Sequence, residues 1–294
     1  MAVAGRVGNV SSFFLFASVL GWAQPRQGSS SWRLIFWLSS AMQLIPLFAL
    51  SWFKRAAAAP SISTSISTSD PAAQNRELET RTAQRNPTTI KDSLRVLKKE
   101  AESLPFWMHL TSRSCLMIIA SFLLFVPSYM TNAFGMTDAA SARVGALYAL
   151  GSLLSVSIGA KPFSASCRRT KIVSTAVLLG LLLGCGLLQM AHITGAFPLS
   201  PFIGATSMFI WGVTFSIPFY IPPSMYALKR GGRQSSATIA DAFDFVGFIL
   251  LAWFNGFVAG RQQDILRSWL LPFGVLSGFT LTAIITSILA IWSE

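Results

Sequence analysis

The chain has 294 residues, 52% of them hydrophobic and only 12% charged, and a formal net charge of +12. A soluble domain carries about twice that charged fraction, so an ordinary water-soluble globule is excluded. The positive charge does not point to nucleic acid either, because the basic residues form no stripe interleaved with exposed aromatics.

A helix needs about 20 apolar residues to cross a bilayer. In chain order such segments lie at 4–24, 32–53, 106–130, 142–163, 172–193, 200–226, 237–259 and 269–292. Arg6, Asn9 and the adjacent Ser11 and Ser12 dilute the first. The segments lack the alternation of barrel strands, and hydrocarbon offers no partner to an unpaired backbone group, so helices are predicted. The expected fold is an all-α polytopic membrane protein with eight transmembrane helices.

The second and third segments are separated by a connector. It begins "KRAAAAPSISTSISTSDPAAQNRELETRTAQRNPTT", a Ser/Thr/Ala/Pro-rich composition that cannot form a core and is expected to be disordered. It ends with Ile90, Leu94, Leu97 and Leu104 at helical spacing, and Arg95, Lys98 and Lys99 on the other face. Thr89 and Asp92 supply an N-terminal signal. Such a basic amphipathic helix either lies along an anionic membrane surface or is simply solvated. The chain thus divides into two helices (1–53), a linker (54–105) and six helices (106–294).

With the N-terminus in the cytoplasm, 17 Lys and Arg fall inside and 5 outside, Arg113 lying within a span. The positive-inside rule favours that orientation, with both termini cytoplasmic. No address motif selects a particular membrane. Cys115, Cys167 and Cys185 have no metal-ligand or disulfide spacing, and His109 and His192 stand at opposite ends of different spans, where interfacial packing is expected. No cleavable signal pattern opens the chain. No nucleotide-binding GxxxxGK[ST] occurs, and no cofactor, metal or enzymatic constellation is predicted.

The segments "GRVGNVSSFFLFASVLGW" and "SWRLIFWLSSAMQLIPLFAL" resemble the fifth and sixth helices of the major facilitator superfamily. The connector resembles that family's central cytoplasmic loop. "VPSYMTNAFGMTDAASARVGALYALGSLLSVSIGAKPF" is similar to its seventh and eighth helices, and "RGGRQSSATIADAFDFVGFILLAWFNGFVAG" to the eleventh-helix region of its sugar-phosphate and organophosphate exchanger branch. Two positions depart from the pattern. Phe163 stands where an interhelical turn often carries aspartate, and Ile119 where that branch places a substrate-binding arginine. Nothing corresponds to the family's first four helices, which would be accounted for by a truncated gene model, a fragment or a short form.

The resemblance implies a secondary transporter that moves a small polar or anionic solute between two helical bundles, with a proton or exchanged anion as coupling partner. The alternative is a truncated or inactive transporter-like membrane protein. A membrane-embedded enzyme would need clustered His, Asp or Ser within spans.

Ionisable residues within spans are functional candidates because their insertion costs about 2.5–3.5 kcal/mol at a helix centre. Arg113, Asp241 and Asp244 qualify. The resemblance makes their helices neighbours, so Arg113 is expected to pair with Asp241 or Asp244. Three outcomes stay open: a wet helix mouth with a snorkelling arginine, a structural pair, or direct ion or substrate coupling. In "WGVTFSIPFYIPPSMYAL", Pro218, Pro222 and Pro223 each remove a helical hydrogen bond. The resembled tenth helix lines the cavity, which makes Ser216, Tyr220 and Tyr226 further substrate candidates. Gly145, Gly151 and Ser155, like Gly180, Gly184 and Gly186, are expected to permit close helix contact.

Overall fold

A computed structural model describes residues 90–260 and 266–294, with a few helical positions between 11 and 19. Apart from those few positions, the segments predicted at 4–24 and 32–53, and the connector up to residue 89, lie outside the described residues.

The described residues form helices and no strand. Helix α1 covers Ile90–Ala101. Helix α2, Leu104–Ser121, starts with Pro105 in its first turn, where a missing N–H is harmless. A 3-10 turn at Phe122–Leu124 leads into α3, Val126–Phe134, which Gly135 closes in the left-handed conformation. Helix α4, Asp138–Ala165, is capped by Thr137, and α5 covers Arg168–Ile193. Continuous helix then runs from Pro201 to Ala259 except at Gly232, whose φ of 57° breaks it into α6, Pro201–Gly232, and α7, Ser235–Ala259. A side chain at Gly232 would be strained by its φ, and one at Gly231 would strike the Ser236 backbone, which explains the Gly-Gly pair in this turn. Helix α8, Leu270–Ser293, completes the described chain.

Six of these helical stretches are long and apolar enough to cross a membrane, beginning at Leu104, Asp138, Arg168, Pro201, Ser235 and Leu270. They agree with the last six predicted segments. The protein therefore has the character of a multi-pass integral membrane protein.

Two cores hold the bundle together. The larger joins the turn after α2 and helix α3 to α6 and the start of α8 through an aromatic group of Phe122, Tyr129, Trp211, Trp269 and Phe273, all essentially buried. Their rings meet at 4.8–6.3 Å, mostly tilted or edge-on, the geometry the ring quadrupole favours. The smaller core, Phe106, Leu110, Tyr226, Ala227, Ile239 and Phe243, lies at the end where α2 and α7 begin. Val96 and Leu97 of α1 pack against it. The amphipathic helix is thus docked on the bundle; neither predicted placement included this. Leu104, assigned to the same apolar stripe, is exposed and opens α2 instead.

Small residues act at particular places only. A Cβ at Gly212 would strike the Tyr148 carbonyl and crowd the Ser152 nitrogen, and one at Gly151 would meet the Phe209 carbonyl. These two glycines let the backbones of α4 and α6 touch. Gly186 closely faces Ser277 and Trp211, but no described residue lies within 4 Å of a Cβ at Gly180 or Gly184. Among the described residues, the expected contact face is therefore found at Gly186 and not at Gly180 or Gly184.

Candidate functional site

The site is built around the three ionisable residues that the sequence places in spans. Arg113 lies nine residues into α2 and Asp244 nine residues into α7, so each sits about 13 Å along its helix at 1.5 Å per residue. Asp241 is one turn shallower. Equal depth decides the pairing: Arg113 Nη2 lies 2.9 Å from Asp244 Oδ1, and its Nε donates to the same oxygen at 3.0 Å. Asp241 is exposed and forms no ion pair with any described residue.

The guanidinium has a third bond. Its Nη1 donates to the Phe219 carbonyl of α6 at 2.6 Å. In an α-helix that carbonyl would accept from the N–H four residues on, but that residue is Pro223, which has none. The arginine supplies the missing donor. Its Cζ also lies 3.7 Å from the Phe219 ring centroid and 5.6 Å from that of Tyr220, a favourable arrangement for a cation whose water has been removed. One side chain therefore joins α2 to both α6 and α7. The Arg113 side chain is 14% exposed and Asp244 37%, so the arginine is largely enclosed while the carboxylate keeps contact with its surroundings.

The remaining candidates are distributed differently. Ser216 is fully buried, its single hydroxyl proton shared between Ser152 Oγ at 2.6 Å and the Gly212 carbonyl at 2.7 Å. It belongs to the α4–α6 contact. Tyr220 is half-buried beside the arginine, edge-on to Phe219 at 4.6 Å. Tyr226 is fully buried and donates to Glu100 Oε2 at 2.7 Å. It thus holds α1, and the expectation that it lines a cavity is replaced by that docking contact. The structure brings Arg113, Asp244 and Tyr220 together and leaves Asp241, Ser216 and Tyr226 apart.

A second polar group surrounds Tyr226. Ser103 Oγ lies 3.2 Å from its hydroxyl, the buried His109 ring stacks obliquely on it at 4.7 Å, and Arg230 is 5.9 Å from its ring. His109 Nε2 is 2.7 Å from Glu294 Oε1, and Lys229 Nζ is 3.7 Å from Oε2. Burial pushes the Glu294 carboxyl up, but His109 with Lys229 and Lys171 outweigh this and hold it below its ordinary value. His109 therefore does more than pack at an interface. His192, at the opposite end, accepts from the Leu199 N–H at Nδ1 and reaches the Ala133 carbonyl from Nε2, so its proton sits on Nε2 and the ring staples the α5–α6 turn to α3.

Sequence reasoning missed Glu100, Ser103 and Glu294. Glu100 carried a signal, since it follows Val96 by four residues and Leu97 by three and so shares their inward face. The Phe219 carbonyl carried one too, in the proline four residues later. Among the described residues no His, Cys, Asp and Glu converge in a metal-binding group. No known family model matches the chain, and no curated protein or solved structure is detectably similar to it.

Proposed function

We propose that the chain is a secondary transporter of the major facilitator type, moving a small polar or anionic solute by alternating access. The six described spans form one bundle of such a molecule, and the segments at 4–24 and 32–53 contribute to the other. The observation that carries this proposal is the Arg113–Asp244–Phe219 junction. A charged pair within spans is costly to insert and is retained where a pathway or a moving contact uses it. Here it joins three helices through one side chain, at a carbonyl that a proline has released. Rearranging that guanidinium changes the contacts of α6 and α7 together, which is what a gate within a bundle requires. The half-exposed Asp244 offers the accessible partner for an incoming proton or for the counter-ion of an anionic solute.

The test is flux in proteoliposomes loaded with inorganic phosphate, glycerol 3-phosphate or malate, with and without a proton gradient. Uptake of at least one solute above protein-free vesicles, lost in Arg113→Met and not in Asp241→Asn, is the expected result. Reconstituted protein without flux for any of them would favour the non-transporting alternative.

A further inference from the structure

Away from that junction, at the end of the bundle that carries α1, a groove opens between the start of α5 and the end of α8. Arg168, Arg169, Ile172, Val173 and Trp292 line it. Arg168 is held in place there: its Nε donates to the Ile291 carbonyl at 3.1 Å, and its Cζ lies 5.9 Å from the Trp292 ring. No described residue pairs with its terminal nitrogens or with the exposed Arg169. No described acidic residue lines the groove, and the carboxylate two residues past Trp292, Glu294, is occupied by His109 and Lys229.

The apolar side of the groove continues into the membrane. On α5, Val173, Val177 and Leu181 recur every four residues, and all are about half exposed. On the adjoining α8, Trp292, Leu289, Ile285 and Leu281 form a second exposed row ending at the same groove. Residues spaced by three and four share one helix face, so two apolar rows run towards the bilayer centre from a pair of arginines. Exposed tryptophan at such a place marks the headgroup level.

We propose that this groove binds an anionic phospholipid, its phosphate on Arg168 and Arg169 and its acyl chains along the exposed rows of α5 and α8. Guanidinium groups form forked hydrogen bonds to phosphate oxygens. A zwitterionic lipid offers the same phosphate but adds a cation, which two arginines disfavour. A free phosphate would satisfy the arginines yet leave the apolar rows uncovered, so both parts of the surface together select a lipid.

Native mass spectrometry of the 294-residue chain in detergent, titrated with phosphatidylglycerol or phosphatidylcholine of matched acyl chains, tests this. The unmodified protein should retain phosphatidylglycerol preferentially. Each arginine removed should reduce that preference by about fivefold, the effect of one basic residue at an anionic surface. Arg168→Gln with Arg169→Gln abolishes it. Arg169→Gln alone leaves the Arg168–Ile291 bond intact and lowers it in part, so a folding defect in the double variant does not hide the answer. Water-soluble glycerol 3-phosphate should not displace the lipid. Equal retention of both lipids, an undiminished preference in Arg169→Gln, or displacement by glycerol 3-phosphate would overturn the proposal.

Discussion

The Phe219 carbonyl takes its hydrogen bond from Arg113, on another helix, because Pro223 cannot provide one. This relationship makes the proline and the arginine interdependent. Arg113→Met leaves both that carbonyl and Asp244 without a donor and is expected to lower stability by about 2–3 kcal/mol, as for hydrogen bonds to charged groups. Pro223→Ala returns an N–H to the helix, and in that background the arginine substitution should cost about 1 kcal/mol less. Thermal unfolding of the single and double variants in detergent measures the coupling. Strictly additive costs would show that the arginine does not serve this carbonyl.

The two carboxylates of α7 should separate cleanly. Asp244→Asn keeps the shape but removes the charge facing Arg113, and about 1–2 kcal/mol of stability is expected to go with it. Asp241→Asn alters an exposed side chain without a described ion-pair partner and should stay within about 0.5 kcal/mol. Comparing melting temperatures of the two variants decides it. Equal losses would contradict the assignment of the pair.

Glycines on α6 and α5 provide a packing test. Gly212→Ala drives a methyl into the α4 backbone, which cannot rotate away as a side chain can. Overpacking of this kind costs about 1–3 kcal/mol. Gly184→Ala meets no described residue and replaces a poor helix former by the best one, so it should be neutral or stabilising by up to about 1 kcal/mol. A destabilised Gly184→Ala protein would place a neighbour on that face of α5.

The six described spans were legible in the sequence because bilayer thickness imposes a length that composition alone reveals. Depth was legible only to within a turn: counting from Pro105 and Arg233 puts Asp241 level with Arg113, whereas α7 starts at Ser235, so that Asp244 is the carboxylate that reaches the arginine. What could not be read was lateral arrangement. Tyr226 lies on the proline-rich helix and looks like a cavity residue, yet its hydroxyl is claimed by Glu100 from a helix outside the spans. Gly180 and Gly184 look like a contact motif, yet no described residue lies within 4 Å of a Cβ at either. Hydropathy is nearly uniform around a lipid-facing helix, so it does not say which side meets protein.

The Glu294 carboxyl links stability to acid. Its pKa in the folded protein is below its ordinary value, so the unfolded chain binds the proton more readily. The stabilisation from this group is present above the ordinary carboxylate pKa and is lost as pH falls through the lower folded value. Melting temperature should therefore decline on the acid side of about pH 4.5, and Glu294→Gln should flatten part of that decline. His109→Gln, which removes the closest partner at 2.7 Å, should flatten it as well. Unchanged acid slopes in both variants would remove this pair from the linkage.

The orientation of the bundle can be read from one thiol. Cys167 lies in the exposed turn between α4 and α5, whereas Cys115 and Cys185 are buried. Hydrogen bonds from the Thr170 side chain and backbone, with a further one from the Arg169 backbone, lower its pKa, so it carries more thiolate near neutrality than an ordinary cysteine. A membrane-impermeant maleimide should label this residue rapidly and leave the other two unmodified. Lys161, Arg168, Arg169 and Lys171 surround the same turn, and the positive-inside rule predicts a cytoplasmic position for such a turn. Labelling should therefore occur in sealed vesicles whose cytoplasmic face is outward, fail in vesicles of the opposite orientation, and vanish in Cys167→Ser. The reverse pattern would invert the orientation, and with it the leaflet facing Arg168 and Arg169.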